Sequence, residues 1–337
     1  MNRKRVVVVC PGRGSYTRET SNYLINPLAD MDEYIKIFDR KRADEDLIKI
    51  SELDKTTFRA KTHMTGENAS SLIYACSLND FISINQKKYE IVAICGNSMG
   101  WYISLALGNT ITFENGYDII QTMGTITNEQ GEGGQIIYPI IDSEWNIDQK
   151  KKAMVFDAID NANAFISIYL GGYIVIGGEQ KALDLLLKEL PAEDKYPFQI
   201  PYHSAFHTPL LDHIRPLAES SFKNISFDKP TIPLVDGRGH IWTPWSASVD
   251  ELYDYTLNYQ VTKTYDFSSS VMVALKEFSP DNVILLGPGN SLGGPVAQVL
   301  IDHSWNDLNS KDAFIESQNK DPFLISMGME EQRDMVL

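Results

Sequence analysis

The sequence predicts an α/β protein: a core built on a parallel sheet, interrupted by a smaller inserted unit. Three observations carry that reading. Apolar, β-branched runs alternate with stretches of helical periodicity across short turns, which is the rhythm of parallel strand pairing. Residues 133–200 switch to the order β-α-β-β-α-β, the pattern of a split βαβ, ferredoxin-like unit. The chain has 337 residues, 43% of them hydrophobic and 10% aromatic, enough for one large domain carrying a second, smaller one.

Taken in order, Arg5–Cys10 is an apolar β-branched strand and PGRGS (11–15) the loop that leaves it. Residues 17–50 and 52–63 are charged and weakly amphipathic, as helices lying over a sheet would be. Ser70–Ile84 places Leu72, Ile73, Cys76 and Phe81 at helical spacing. Ile91–Cys95 is the next buried strand, and Gly100–Gly108 opens a helix. Inside the insert, Gln135–Ile141 reads as a strand and Ile147–Asn161 as a helix. Phe165–Leu170 and Tyr173–Ile176 form a hairpin about Gly171–Gly172. A helix over Glu179–Leu190 and a strand over Tyr196–Ile200 complete the unit. The core sheet resumes with Ile232–Asp236 and Val283–Leu286, the latter running into GPGNSLGG (287–294). The expected division is therefore 1–132 with 201–305 for the core and 133–200 for the insert. Residues 306–337 are polar and are expected to form a loose tail.

Bulk chemistry excludes several functions. The formal net charge is −15, so phosphate neutralisation, and with it a nucleic-acid partner, is disfavoured. Cys10, Cys76 and Cys95 lie in apolar or helical contexts without C-x-x-C spacing, which argues for reduced thiols, against disulfides and against a zinc or other metal site. The opening MNRKRVVVVC is too short in its apolar part for a secretion signal, and Pro11 ends it. No run approaches the ~20 apolar residues of a membrane span. A soluble, cytoplasmic protein is expected.

The chemistry-bearing stretch is Gly96-Asn97-Ser98-Met99-Gly100, between a strand and a helix. This is the G-x-S-x-G spacing of a nucleophile elbow. A sharp strand-to-helix turn brings backbones so close that glycines are needed on both sides. The following helix then aims its free N–H groups at the site, where an oxyanion can be held. The plainer reading is a βα turn whose serine caps the helix. A serine nucleophile needs a base. His207, in AFHTPLL (205–211), is the first candidate and His203 the second. His63, His213, His240 and His303 read as surface residues. No Asp or Glu stands out as a third member, but a backbone carbonyl can orient an imidazole equally well.

Four segments in one order resemble the malonyl-CoA:acyl-carrier-protein transacylase family, which includes the acyltransferase domains of fatty-acid and polyketide synthesis. They are PGRGS (11–15), GNSMG (96–100), AFHTPLL (205–211) and GPGNSLGG (287–294), with Gln260 where the family has a late glutamine. The resemblance spans roughly residues 5–300. It implies an α/β-hydrolase-like core with a ferredoxin-like insert. It implies Ser98 as nucleophile and His207 as base, the latter oriented by a main-chain carbonyl near Gln260, with an oxyanion hole from the N–H groups of Met99 and Arg13. It further implies ping-pong transfer: Ser98 takes an acyl group from an acyl-CoA thioester and passes it to the phosphopantetheine thiol of an acyl carrier protein, with no permanently bound cofactor.

The departures from that pattern concern the acyl pocket. Counting without gaps from Ser98, the family's carboxylate-binding arginine is Met123 here. A buried carboxylate without a partner costs several kcal/mol, whereas methionine suits an uncharged chain, so strict malonyl specificity is not expected. Phe206 instead matches the malonyl-type histidine motif. Arg13 stands where the family has glutamine; it could meet a carboxylate, bind phosphates, or lie solvated in its loop. Asn97 replaces a histidine, Trp101 an acidic residue, and YLGGY (169–173) an asparagine-rich segment; all are expected near the pocket wall. Lys151, Lys152 and Lys263 are candidates for a carrier-docking patch. The alternatives are an acyl-thioester hydrolase using the same Ser–His pair, and a non-catalytic relative that only docks a carrier protein.

Overall fold

A computed structural model describes residues 3–25, 27 and 31–337 of the chain. The valines of the first strand, β1 (Lys4–Cys10), are at most 1% exposed. Burying each stabilises the fold by roughly 1.5–3 kcal/mol. Burial on both faces is the signature of a strand inside a helix-covered parallel sheet.

The remaining strands are β2 (Tyr89–Gly96), β3 (Gly134–Pro139), β4 (Phe165–Leu170), β5 (Tyr173–Gly178) and β6 (Phe198–Gln199). They are followed by β7 (Leu234–Val235), β8 (Ile241–Trp242), β9 (Tyr265–Asp266), β10 (Asn282–Leu285) and β11 (Leu324–Ser326). Six of them form the main sheet in the order β11-β10-β1-β2-β7-β8. Every pair from β11 to β7 is parallel, and only β8 runs antiparallel, against β7. The order places β1 and β2 at the centre, so the loops leaving their C-terminal ends, 11–15 and 97–99, lie side by side. In an open α/β sheet this is where ligands bind.

The second sheet has the order β6-β3-β5-β4-β9. Its first four strands are antiparallel neighbours, while β9 joins β4 in parallel. The helices Gln149–Ala162 and Gln180–Glu189 cover it, with Val155, Ile159, Leu183 and Leu186 packed on Ile136, Tyr138, Ile174 and Ile176. β9 comes from the core part of the chain, between the main-sheet strands β8 and β10. Together with the Gly172 N–H, which donates to Gln298 Oε1 at 2.7 Å, it ties this sheet to the core.

Most expected elements are present with shifted ends, among them the Gly66–Ser83 and Gly100–Leu107 helices. The 17–50 stretch contains the helix Asp32–Asp44, and residues 26 and 28–30 of it lie outside the described residues. Two differences matter. The helix Phe113–Gln130, not foreseen as an element, carries Met123. The tail after 305 is not loose: it forms the helix Lys311–Lys320, and β11 then pairs with β10. Met327 and Val336 beyond it are fully buried. The three thiols are buried as expected, and burial pushes each of them up, so they stay protonated at neutral pH. No helix among the described residues is long and apolar enough to cross a membrane, and none of those residues form a metal-holding cluster of three or more ligating side chains.

Candidate active site

The elbow is built from steric necessity. β2 ends at Gly96, and a Cβ there would lie 2.4 Å from the backbone of Gly100. At Gly100 a Cβ would lie 2.4 Å from the carbonyl oxygen of Cys10, the last residue of β1. No real side chain tolerates such distances, so the two glycines of the motif are what let the helix start directly above the sheet edge. Between them Ser98 holds φ of 56°, a left-handed conformation that costs energy for a residue with a Cβ. This is the strain expected of a nucleophile elbow.

His207 arrives from the segment after the second sheet. It too is left-handed, with φ of 58°, and its own N–H donates to Val261 O at 2.9 Å. Its Nε2 lies 2.7 Å from Ser98 Oγ and its Nδ1 lies 2.5 Å from Gln260 O. A carbonyl can only accept, so Nδ1 carries the proton and Nε2 presents its lone pair to the serine hydroxyl. Burial lowers the His207 pKa to about 4, against the raising effect of the Gln260 carbonyl, so the ring is neutral at physiological pH.

Gln260 is fixed in turn. Its Nε2 donates to Ser98 O at 3.0 Å and its Oε1 accepts from the Tyr102 hydroxyl at 2.9 Å. A π-helical turn over Tyr255–Tyr259 precedes it. Gln260 therefore holds the serine by its side chain and the histidine by its main chain. On the other side of His207, the Tyr265 ring packs 5.2 Å away and its hydroxyl donates to Gly96 O at 2.6 Å.

The 11–15 loop lies against the elbow: the Asn97 N–H donates to Cys10 O at 3.1 Å. Neither the Met99 N–H nor the Arg13 N–H donates to another protein group among the described residues. Free donors beside a serine hydroxyl have the chemistry an oxyanion needs.

A cavity of about 370 Å³ opens at this point. Ser98, His207, Gln260, Asn97, Met99 and Arg13 all line it. So do Met123 from the Phe113–Gln130 helix and Phe206 beside His207. Trp101 does not. Three positions past Ser98, it turns to the far side of its helix, fully buried, with Nε1 donating to Thr256 Oγ1 at 3.0 Å and its ring edge-on to Tyr255. Tyr102 lines the cavity instead, one position on, as the helical repeat from Ser98 would indicate. From the YLGGY segment Leu170 faces the cavity, while Tyr169 packs on Phe156.

His203, the second candidate base, has Nδ1 2.8 Å from Gln135 Oε1 and meets the edge of Phe206. It lines the cavity without contacting Ser98. His213, His240 and His303 are exposed as expected. His63 is not a surface residue: it is 1% exposed, with Nε2 3.0 Å from Leu53 O, Nδ1 3.0 Å from the Arg59 N–H, and its ring stacked on Tyr16. Lys151 is engaged with Glu193 at 2.5 Å, which removes it from any free basic patch.

No family model matches the chain, and no curated protein does. Solved structures do. An acyl-carrier-protein S-malonyltransferase from Burkholderia pseudomallei aligns with TM-score 0.74 at 16% identity, over 98% of both chains. A malonyl-CoA:acyl-carrier-protein transacylase from Coxiella burnetii gives 0.74 at 16%, over 99% of this chain and 96% of that one. A malonyl-transacylase solved with a type II polyketide-synthase acyl-carrier protein gives 0.71 at 17%, over 94% of this chain and all of the other. The fold of this chain is that of the malonyl-CoA:acyl-carrier-protein transacylases.

Proposed function

We propose that the protein is an acyl-carrier-protein S-acyltransferase working through a Ser98 acyl-enzyme. One observation carries the reading: an imidazole with a fixed tautomer 2.7 Å from a serine hydroxyl on a strained elbow. In the first half-reaction His207 Nε2 takes the Ser98 proton as Oγ attacks the thioester carbonyl. The Met99 and Arg13 N–H groups meet the developing oxyanion. As the C–S bond breaks, His207 returns the proton to the departing thiolate. In the second half a phosphopantetheine thiol gives its proton to Nε2 and attacks the serine ester, and Oγ recovers the proton as the C–O bond breaks. No metal or resident cofactor takes part in this scheme.

The substrates of this reading are an acyl-CoA and an acyl carrier protein; the neighbour solved with a carrier protein supports the second. We treat residues 133–200 as a ferredoxin-like insert walling the cleft, on the strand order of the second sheet. Reduced, buried thiols favour the cytoplasm. Intact mass after incubation with mixed acyl-CoAs tests the reading: the native protein gains one acyl group and Ser98→Ala gains none. An adduct that persists in Ser98→Ala rejects it. Turnover that needs water and ignores a carrier thiol would assign the same residues to an acyl-thioester hydrolase. A protein that binds a carrier but forms no adduct would be a docking relative.

A further inference from the structure

The cavity holds a second imidazole besides that of His207, and a chain of buried hydrogen bonds sets its protons. Ser167 Oγ, in β4, lies 2.7 Å from Phe206 O, and Gln135 Nε2, in β3, lies 2.6 Å from Ser167 Oγ. Gln135 Oε1 in turn lies 2.8 Å from His203 Nδ1. Gln135 and Ser167 are at most 1% exposed, so these groups must satisfy one another. Their protons fit in only one way. A carbonyl only accepts, so Ser167 donates to Phe206 O. The serine oxygen must then accept, which aims the amide N–H of Gln135 at it. That leaves Gln135 Oε1 facing His203, so Nδ1 carries the imidazole proton. Burial chiefly, and the Arg13 charge with it, hold the His203 pKa well below the ordinary histidine range, so the ring takes up no second proton at neutral pH. Nε2 is therefore a bare lone pair. No group among the described residues donates to it, and His203 lines the cavity.

Unmet donors lie beside the same Phe206 ring. His203 meets the ring edge-on with centroids 5.6 Å apart, and the Arg13 guanidinium lies 5.1 Å from its centroid. Among the guanidinium nitrogens only Nη2 has a partner among the described residues, the carbonyl of Tyr202, the residue before His203. The cavity thus offers a free acceptor and free donors around one side chain, next to His207. An alkyl chain satisfies neither. A carboxylate only accepts, so beside Nε2 it would set lone pair against lone pair. A hydroxyl donates and accepts, and fits both.

We propose that His203 is a specificity-determining residue whose Nε2 accepts a hydrogen bond from a hydroxyl on the transferred acyl group, with Arg13 donating to the same oxygen, making the substrate class the thioesters of short hydroxy acids. The inference rests on the acyl-transfer reading and deepens it. Gln135 and Ser167 are positioning residues, because they hold the tautomer of His203. The other source of such a hydroxyl is the pantoyl group of CoA and of the carrier arm. Both amides of the arm separate that hydroxyl from the thioester, whereas His203 packs on Phe206, the neighbour of the base.

The experiment measures Ser98 acylation by butyryl, 2-hydroxybutyryl and 3-hydroxybutyryl donors in native protein and His203→Phe. Each donor is supplied as the CoA thioester and as the N-acetylcysteamine thioester, which has no pantoyl hydroxyl. Native protein should prefer a hydroxybutyryl group over butyryl roughly ten- to a hundredfold with both kinds of donor, the usual effect of leaving buried polar groups unpaired. His203→Phe should abolish that preference. No preference in native protein, or one that His203→Phe leaves in place, overturns the proposal. So does a loss in His203→Phe that falls on every CoA donor alike and spares the short thioesters, because the imidazole then reads the pantoyl hydroxyl. Nitrogen NMR of histidine-labelled protein checks the tautomer without turnover. The His203 signals, identified by their absence from His203→Phe, should show the proton on Nδ1 in native protein and partly on Nε2 in Gln135→Met. A native proton on Nε2, or a tautomer indifferent to Gln135→Met, also overturns the proposal. Binding of the same thioesters to Ser98→Ala protein, by calorimetry, separates this proposal from the one it rests on. A hydroxyl preference in binding that vanishes on adding His203→Phe, where native protein never acylates Ser98, upholds the hydroxyl site and rejects the acyl-enzyme. Acylation without any such preference does the reverse.

Discussion

Ser98 and His207, 109 positions apart in the chain, meet at 2.7 Å, and both hold left-handed backbone conformations. Two strained residues facing each other mean that the surrounding structure, not local preference, sets the pair. The environment that fixes the ring also sets its charge. Burial lowers the folded-state pKa of His207 from 6.5 to about 4, partly offset by the Gln260 carbonyl. The imidazole is therefore neutral, with a free lone pair on Nε2, well below the ordinary histidine range. The acid limb of kcat/KM is expected near pH 4–5; a limb at 6.5 would mean that the ring is solvated. The sign for stability follows from linkage. Above pH 6.5 neither state binds the proton. As pH falls from 6.5 towards 4 the unfolded chain protonates and the folded His207 does not, so this residue's contribution to stability is lost across that window.

The glycines flanking Ser98 lead to a stability prediction with an internal control. Gly100→Ala places a methyl 2.4 Å from Cys10 O and 3.0 Å from Pro11 O, both backbone atoms that cannot move aside without shifting β1. A loss of about 2–4 kcal/mol is expected from such overpacking. At Gly294, in the first turn of the Gly293–Asp302 helix, a Cβ would meet nothing within 4 Å. Gly294→Ala should be neutral or stabilising by up to about 1 kcal/mol. Urea midpoints of the two variants test the contrast, and equal midpoints would remove the steric account of the motif.

These contacts explain what was readable in advance. The elbow is legible because its geometry is local: five consecutive residues satisfy one turn, and the turn dictates their types. Alternating apolar runs likewise gave the central strands β1 and β2, whose burial follows from their own composition. Gln260 is different. Its part in holding His207 is played by a carbonyl, which every residue has, so only the resemblance pointed to it. His63 was misread because it lies in a charged stretch, and its burial depends on Leu53 O and the Tyr16 ring, which no short window reveals. Trp101 was misplaced because nearness to Ser98 in sequence is not nearness in space when a helix turns by about 100° per residue. The Phe113–Gln130 helix lacks a clean apolar stripe, because Gly116, Gln121, Gly124 and Thr127 on its buried side serve close packing and polar contacts.

Gln260 itself is open to test. Gln260→Leu removes the bond from Nε2 to Ser98 O and leaves the Tyr102 hydroxyl without its acceptor, while the main-chain carbonyl still faces His207. Loss of two buried hydrogen bonds at about 1 kcal/mol each should lower kcat roughly ten- to thirtyfold by loosening the elbow. KM should move little and the acid limb should stay in place, since ring burial and the carbonyl are retained. A shift of the limb towards 6.5 would show that the side chain, too, controls the histidine. Unchanged kcat would reduce Gln260 to a packing residue.

The C-terminal segment makes the last prediction. β11 adds Leu324, Ile325 and Ser326 to the edge of the main sheet, and the chain beyond it reaches back to the core. The Tyr23 hydroxyl donates to Met327 O at 3.0 Å, and the Asn85 N–H donates to Val336 O at 2.9 Å. Leu324, Ile325, Met327 and Val336 are at most 4% exposed. Four buried apolar side chains at roughly 1.5–3 kcal/mol each are comparable with the roughly 5–15 kcal/mol that holds a whole domain together. Ending the chain after Asp321 should therefore abolish cooperative unfolding in urea. Ile325→Ala, a milder lesion, should cost about 2–5 kcal/mol. A tail that merely trailed in solvent would leave both midpoints where they were. Because Tyr23 Oη also lies 2.8 Å from Asp80 Oδ2, which accepts from the Gly287 N–H at 2.7 Å, loosening the tail should also slacken the 287–294 loop that supplies Leu292 to the cavity. Acylation of Ser98 in Ile325→Ala should accordingly fall before the protein unfolds.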